Sequence, residues 1–277
     1  MGRLADLISS GKRPLWIEAT AYAERLMANG AVPWCDVAEV VAWHRKAQGL
    51  LKSDVVSLPL DRVAEAWRQG DAELAEEMGA KKRTTAPLKT LLACEPLRDH
   101  IVEILKGLRA SYGNAPLALV APSPRRWVGD AYAAAHGEAA EVGEDEADSA
   151  AMYMADFLRS FGESGVDVLL LDESVDSAPA GAAEVKWYQS VFNIASHYRW
   201  ECGLRLPVAK DIAGAEGLDF CVSPAAVNGL ATGIAVCGEA WSGGGVPEVP
   251  DGGFRYVEIP VDAVPEAALE RLSALRQ

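Results

Sequence analysis

The sequence predicts an α/β fold: a parallel, eight-stranded (β/α)8 TIM-type barrel with an extra helical excursion after the second strand. Three observations predict it. Eight short apolar runs punctuate the chain, at 14–17, 55–60, 117–121, 166–171, 204–208, 218–222, 233–236 and 256–259. Most of the intervals between them carry the three-to-four-residue apolar spacing of amphipathic helices. Most runs also stop at polar or charged residues. Strand and helix alternating eight times is most simply a parallel barrel. The 277 residues suit one barrel domain over 1–277, since such barrels typically run to about 250 residues.

The elements follow in order. Residues 1–13 form a leading helix, and Pro14-Leu-Trp-Ile-Glu18 the first strand. Asp36 with Glu39 three residues on makes a capping-box-like start. The helix it opens carries Val37, Val40, Val41 and His44 toward Gly49. Residues 53–61 give the second strand and its exit. Residues 62–95 form the excursion: helical pieces at 63–67 and 72–78 precede the basic trio Lys81, Lys82 and Arg83. This segment is either a lid over the barrel mouth or a solvated surface excursion. Leu97, Ile101, Ile104, Leu105 and Leu108 share one helix face, and the third strand starts at Leu117.

The acidic stretch 137–148 carries six acids and no base and reads as a solvated loop. Asp148 or Ser149 then caps a helix whose face is Met154, Phe157, Leu158 and Phe161. The run 166–171 is apolar throughout apart from Asp167, as in a strand buried on both faces. A helix spans roughly 183–199, and the last three strands come quickly. A glycine- and proline-rich loop, 242–253, precedes the eighth strand. Pro265 opens a closing helix with Ala268, Leu272 and Leu275 facing inward.

Composition narrows the function. The 26 basic and 40 acidic residues give a net charge of −14. Such a surface disfavours nucleic acid, which demands basic groups to displace counterions, and anionic membrane surfaces. The first residues include Arg3, Asp6, Lys12 and Arg13 and no long apolar stretch, so no signal peptide is expected. The five cysteines are scattered with no CxxC pair. Reduced thiols and a cytoplasmic location are the natural reading. A small-molecule substrate is the expected partner, and a homodimer is compatible with the fold.

In a parallel barrel the chemistry lies at the C-terminal strand ends. Leu169-Leu-Leu-Asp172-Glu173 delivers adjacent carboxylates there, of which at most one faces the cavity. Either is a candidate acid or base, or one half of a structural ion pair. Asp61 ends the second strand, as a catalytic group or as the N-cap of the next helix. Arg125 and Arg126 follow the third strand and suit a bound carboxylate or phosphate, or simply neutralise Asp172 or Glu173. Glu18 and Glu239 add acids to the rim. Tyr22 and Trp241 are aromatic candidates for contacting a ligand, Trp241 beside the flexible loop. The expected site is thus catalytic Asp61, Asp172 and Glu173, with Glu18, Tyr22, Arg125, Arg126, Glu239 and Trp241 binding substrate. No cofactor is required by this set. Zinc is the alternative, on Cys221, Cys237 and Glu239, although buried thiols are commoner in barrel cores. No dinucleotide-binding glycine turn, P-loop or GxSxG elbow is present.

The order of Pro14-Leu-Trp-Ile, the helix and strand ending at Asp61, Pro116-Leu-Ala-Leu-Val-Ala-Pro-Ser-Pro124, Gly165-Val-Asp-Val-Leu-Leu-Leu-Asp172 and the strand and helix over 257–275 resembles a known superfamily. It is that of uroporphyrinogen decarboxylase and cobalamin-independent methionine synthase. The resemblance implies a barrel, and in its decarboxylase branch a catalytic aspartate where Asp61 stands. That branch also implies arginines after the first strand, where this chain reads Glu18-Ala-Thr-Ala-Tyr-Ala-Glu24. The methyltransferase branch implies zinc on an HxC pair with a later cysteine, and this chain has no HxC. The leading expectation is a cofactor-independent lyase of decarboxylase type, acting on a small anionic substrate. Methyl or C1 transfer to a thiol at a zinc-thiolate site is the second expectation, and a non-catalytic small-molecule-binding barrel the third.

Overall fold

The computed structural model describes residues 2–10, 13–245 and 248–276. Lys12 of the leading segment and positions 246–247 of the glycine- and proline-rich loop lie outside the described residues. A short helix α1 (Arg3–Ser9) precedes β1 (Leu15–Glu18), α2 (Thr20–Met27) and α3 (Val37–Leu51). Then come β2 (Val56–Pro59) and four helices: α4 (Leu60–Gly70), α5 (Ala72–Gly79), α6 (Ala86–Ala93) and α7 (Glu95–Tyr112). β3 (Leu117–Pro122) leads through α8 (Pro124–His136) and α9 (Glu144–Arg159) to β4 (Val168–Asp172). α10 (Ala182–Val185), a 3-10 turn at Lys186–Tyr188 and α11 (Gln189–Tyr198) return to β5 (Glu201–Arg205). β6 (Phe220–Ser223), β7 (Ala231–Val236), α12 (Gly238–Trp241), β8 (Phe254–Glu258) and α13 (Pro265–Leu275) complete the chain.

The eight strands form one parallel sheet in the order β1-β8-β7-β6-β5-β4-β3-β2. It is the expected (β/α)8 barrel, nearly closed. The remaining seam, between β1 and β2, has no strand ladder. One backbone bond, Asp54 N–H to the Leu15 carbonyl at 2.9 Å, holds its N-terminal end. Side chains stitch the rest: Asp54 Oδ2 accepts from Leu15 N–H (2.8 Å), Ser53 Oγ from Ile17 N–H (2.9 Å) and Ser57 Oγ from Trp16 Nε1 (2.8 Å). A narrow crevice of about 50 Å³ lies along the seam, bordered by Ile17, Glu18, His44 and Pro59.

Strand residues alternate between two apolar cores. Trp16, Ala118, Val168, Leu170, Phe220, Val222, Phe254 and Tyr256 fill the barrel interior. Their neighbours Leu58, Leu119, Leu169, Leu171, Leu204 and Cys221 face the outer helices. Leu4 with Leu7 and Ile8 of α1 closes the bottom against the same interior cluster. Glu201 fixes that plug by accepting from Leu4 N–H and Ala5 N–H, both at 2.8 Å, which places a carboxylate at a helix N-terminus.

Two glycines make room for the interior rings. A Cβ at Gly203 would meet the Phe220 ring at 2.3 Å, and one at Gly233 the Phe254 ring at 2.5 Å. Gly203→Ala is therefore expected to cost about 1–3 kcal/mol by overpacking, read as a lower urea midpoint. An unchanged midpoint would mean that the ring moves aside freely.

Three expectations are corrected. The fifth strand begins at Glu201 and ends at Arg205, so the run 204–208 overshot it. The acidic stretch is not all loop: α9 starts at Glu144, with Glu144, Asp145 and Glu146 in its first turn, where the helix dipole favours acids. Glu146 Oε2 accepts from Gly143 N–H at 3.1 Å, the capping contact expected later in the chain. In the excursion over 62–95, α4 packs on β3 and α7, α5 on α8 and α6 on α8 and α9, extending the outer helical layer.

Candidate functional site

A charged ring stands on the C-terminal mouth. In β4 the interior positions are Val168 and Leu170, and the alternation brings Asp172 into the barrel and turns Glu173 outward. Asp172 Oδ2 accepts from Arg126 Nη1 at 2.5 Å, and its Oδ1 accepts from Arg205 Nη1. Arg205 ends β5. It also donates through Nε to Glu258 Oε1 at 2.8 Å and through Nη2 to the same oxygen. Arg126 reaches Asp130 as well, at 3.3 Å. The result is a continuous chain Asp130–Arg126–Asp172–Arg205–Glu258 across the mouth, built from α8, β4, β5 and β8.

Two further carboxylates stand at this ring without an ion-pair partner among the described residues. Glu18 ends β1 and accepts from Thr20 N–H at 2.9 Å. Burial raises its pKa, and the charges of Glu258 and Asp61 add to the effect. Asp61 lies in the first turn of α4, not at its N-cap, which is Pro59. Burial raises its pKa too; Arg62 and Arg126 oppose the shift and Asp172 reinforces it. Asp61 and Arg126 open onto a groove of about 360 Å³ between α4 and α8, lined also by Arg62, Asp130, Met78 and Trp127.

Tyr256 forms the floor. Its side chain is 2% exposed, and the charges of Glu18, Arg205, Asp172 and Glu258 all act on its hydroxyl. The Arg205 guanidinium carbon lies 5.8 Å from its ring centroid. Among the described residues the hydroxyl has no hydrogen-bond partner. Arg205, Glu258 and Tyr256 were not among the expected site residues. Their signal was a period-2 placement: in β5 and β8 they fall on the interior-facing positions.

Several expected residues lie elsewhere. Glu173 is 1% exposed and faces the outer layer, accepting from Ser123 Oγ (2.6 Å) and Tyr188 Oη (2.5 Å). Burial raises its pKa. It supports the mouth indirectly, because Ser123 also caps α8 by accepting from Arg126 N–H at 3.1 Å. Asp172 thus holds the Arg126 side chain while Glu173 holds the turn that starts its helix. Arg125 points away, pairing with Glu184 at 3.1 Å and stacking its guanidinium 5.6 Å from the Trp187 ring centroid. Successive helix residues project about 100° apart, so only one of the two arginines reaches the mouth. Tyr22 is buried against β8 and α13, and Trp241 packs on the same cluster instead of covering the mouth. Glu239 is exposed on α12.

The zinc set does not fit. Cys221 faces the outer core, its Sγ 3.5 Å from Thr232 Oγ1. Cys221 pairs in register with Thr232, and Cys237 lies five residues further along, about 16 Å at strand rise. Cys237 sits at the rim, where Glu258 and Arg205 act on it. Cys221 and Cys237 therefore cannot share an ion with Glu239. Among the described residues, no group of three His, Cys, Asp or Glu is arranged to hold a metal ion.

Fold and mouth define a parallel (β/α)8 barrel with a charged C-terminal rim. Among solved structures the chain resembles a methyltransferase from Methanosarcina mazei, with a TM-score of 0.58 and 13% identity, over 99% of this chain and 97% of that one. No family model matches the sequence, and no curated protein matches it. The likeness bears out the barrel. It also corrects the lyase expectation: a solved barrel that the chain resembles from end to end is named a methyltransferase, which points to a transferase rather than a lyase. No helix among the described residues is long and apolar enough to cross a membrane.

Proposed function

We propose that the chain is a small-molecule methyl- or C1-group transferase with a thiol acceptor, working at the barrel mouth. The observation that carries a site at this position is the convergence of Glu18, Asp61, Asp172, Arg205 and Glu258 over the free Tyr256 hydroxyl. The reaction class rests on the end-to-end likeness to a methyltransferase barrel.

The chemistry these residues supply is proton transfer and electrostatic positioning. Methyl transfer to a thiol forms a sulfur–carbon bond, breaks the bond to the donor's leaving atom and releases the thiol proton. A general base serves best when its pKa lies near the working pH. Asp61 and Glu18, raised by burial, are better bases than exposed carboxylates. Asp172 and Arg205, locked together, hold the rim rigid and keep its field preorganised.

The test offers the purified protein a small thiol and a panel of donors carrying a ¹³C-labelled methyl group, with the thioether product followed by mass spectrometry. Labelled thioether is expected with the wild-type chain, at a rate about 10²–10⁴-fold lower in Asp61→Asn. No transfer from any donor, with the folded state verified by circular dichroism, would sink the reading.

A further inference from the structure

We infer that the mouth takes a methylated onium cation, a quaternary ammonium or sulfonium compound, as the methyl donor. This inference rests on the transferase reading and names its substrate class.

The first observation is the pairing of the ring. Five carboxylates (Glu18, Asp61, Asp130, Asp172 and Glu258) meet three arginines, of which Arg126 and Arg205 are engaged and Arg62 stands exposed beside Asp61. Arg126 is bound to Asp172 and Asp130, and Arg205 to Asp172 and Glu258. An incoming anion would have to displace these bonds or settle for the exposed Arg62, and would face two further acids. A cation meets Glu18 and Asp61, which form no ion pair among the described residues. The second observation is independent of charge count. Tyr256 is 2% exposed as a residue, its hydroxyl makes no hydrogen bond among the described residues, and the charges of Glu18, Asp172, Arg205 and Glu258 act on it. Its oxygen can accept the polarised C–H groups of an onium methyl, which behave as weak donors.

The step balances. The acceptor sulfur forms the new bond to the methyl carbon, and the electron pair of the broken bond stays on the donor nitrogen or sulfur, which leaves neutral. The thiol proton passes to the carboxylate of Asp61 or Glu18. An onium–carboxylate ion pair thereby becomes three neutral products, a conversion that a site withdrawn from water favours, since low dielectric penalises separated charge.

Binding of trimethylsulfonium, measured by titration calorimetry in the absence of acceptor, tests this directly. Methanesulfonate and tert-butanol serve as anionic and neutral controls. The onium is expected to bind more tightly as pH rises from 5.5 to 8. Cation binding requires ionised Glu18 and Asp61, whose neighbours are Thr20, Arg62, Arg126, Asp172, Tyr256 and Glu258. Glu18→Gln and Asp61→Asn should each weaken it by about tenfold or more. Tyr256→Phe, nearly isosteric and safe for folding, should weaken it by a smaller factor. Absence of onium binding to the folded wild-type chain, or methanesulfonate binding that tightens on acidification, overturns the inference. In either case labelled transfer from a non-onium donor would leave the transferase reading standing, so the two fail separately.

Discussion

Arg205→Met is expected to destabilise the barrel by about 3–5 kcal/mol at neutral pH, the usual cost of removing one partner from a buried ion pair. Arg205 is the only cation in the ring that touches two strands besides its own. Without it, Asp172 retains Arg126 but Glu258 retains no cation, and the two acids then repel across the Tyr256 floor. The Arg205 side chain is 18% exposed and those of Asp172 and Glu258 are 21% and 28% exposed, so water replaces the lost bonds only in part. Urea unfolding at pH 7.5 measures the effect. Equal midpoints for wild type and variant at pH 7.5 would show that the network is electrostatically neutral to folding.

Glu18→Gln with Asp61→Asn should do the opposite: raise stability while removing turnover. Both folded-state pKa values are raised by burial above the ordinary 4.5 and 3.8. For an acid shifted upward, the folded state holds its proton longer than the unfolded chain. Its contribution to stability is therefore complete below the ordinary value and is lost as pH rises through the folded one. At pH 8 the wild type carries this cost and the double variant does not, and a melting temperature higher by about 3 °C or more is the expected result. At pH 4 the two proteins should melt nearly together. Turnover should fall by about 10²–10⁴-fold at every pH, and the wild-type rate should rise with pH as the two acids ionise. A variant that melts lower at pH 8 would mean that these carboxylates are structural.

The barrel was legible because most strands are buried on both faces and so stand out as apolar runs. Boundaries slipped where that logic lapses. β5 opens with Glu201, which serves α1 instead of the core, and the reading moved three residues downstream to Leu204. That slip also hid Arg205: placed inside an apolar run, it passed for a strand interior when it is the strand's last residue. Glu258 was masked the same way inside 256–259. Asp61 and Asp172 were legible because they stand immediately beyond their runs. Which of Asp172 and Glu173, or of Arg125 and Arg126, reaches the mouth depends on the phase of β4 and the cap of α8. Both pairs look equivalent in sequence and diverge only once Ser123 has fixed the start of the helix. Cys221 and Cys237 misled because nearness in sequence carried no information about which sheet face each would occupy.

The stitched seam between β1 and β2 gives the molecule a mechanical asymmetry. Seven junctions of the barrel are laced by backbone and resist changes of circumference, whereas the eighth is held by three short side chains and one bond at its lower end. The barrel thus behaves as a split ring, stiff around most of its girth and compliant at one slot. Glu18 stands at the upper end of one lip and Asp61 just beyond the other. Widening or narrowing the slot changes the distance between these two carboxylates while every strand ladder stays intact, so their spacing can adjust to the girth of whatever sits between them.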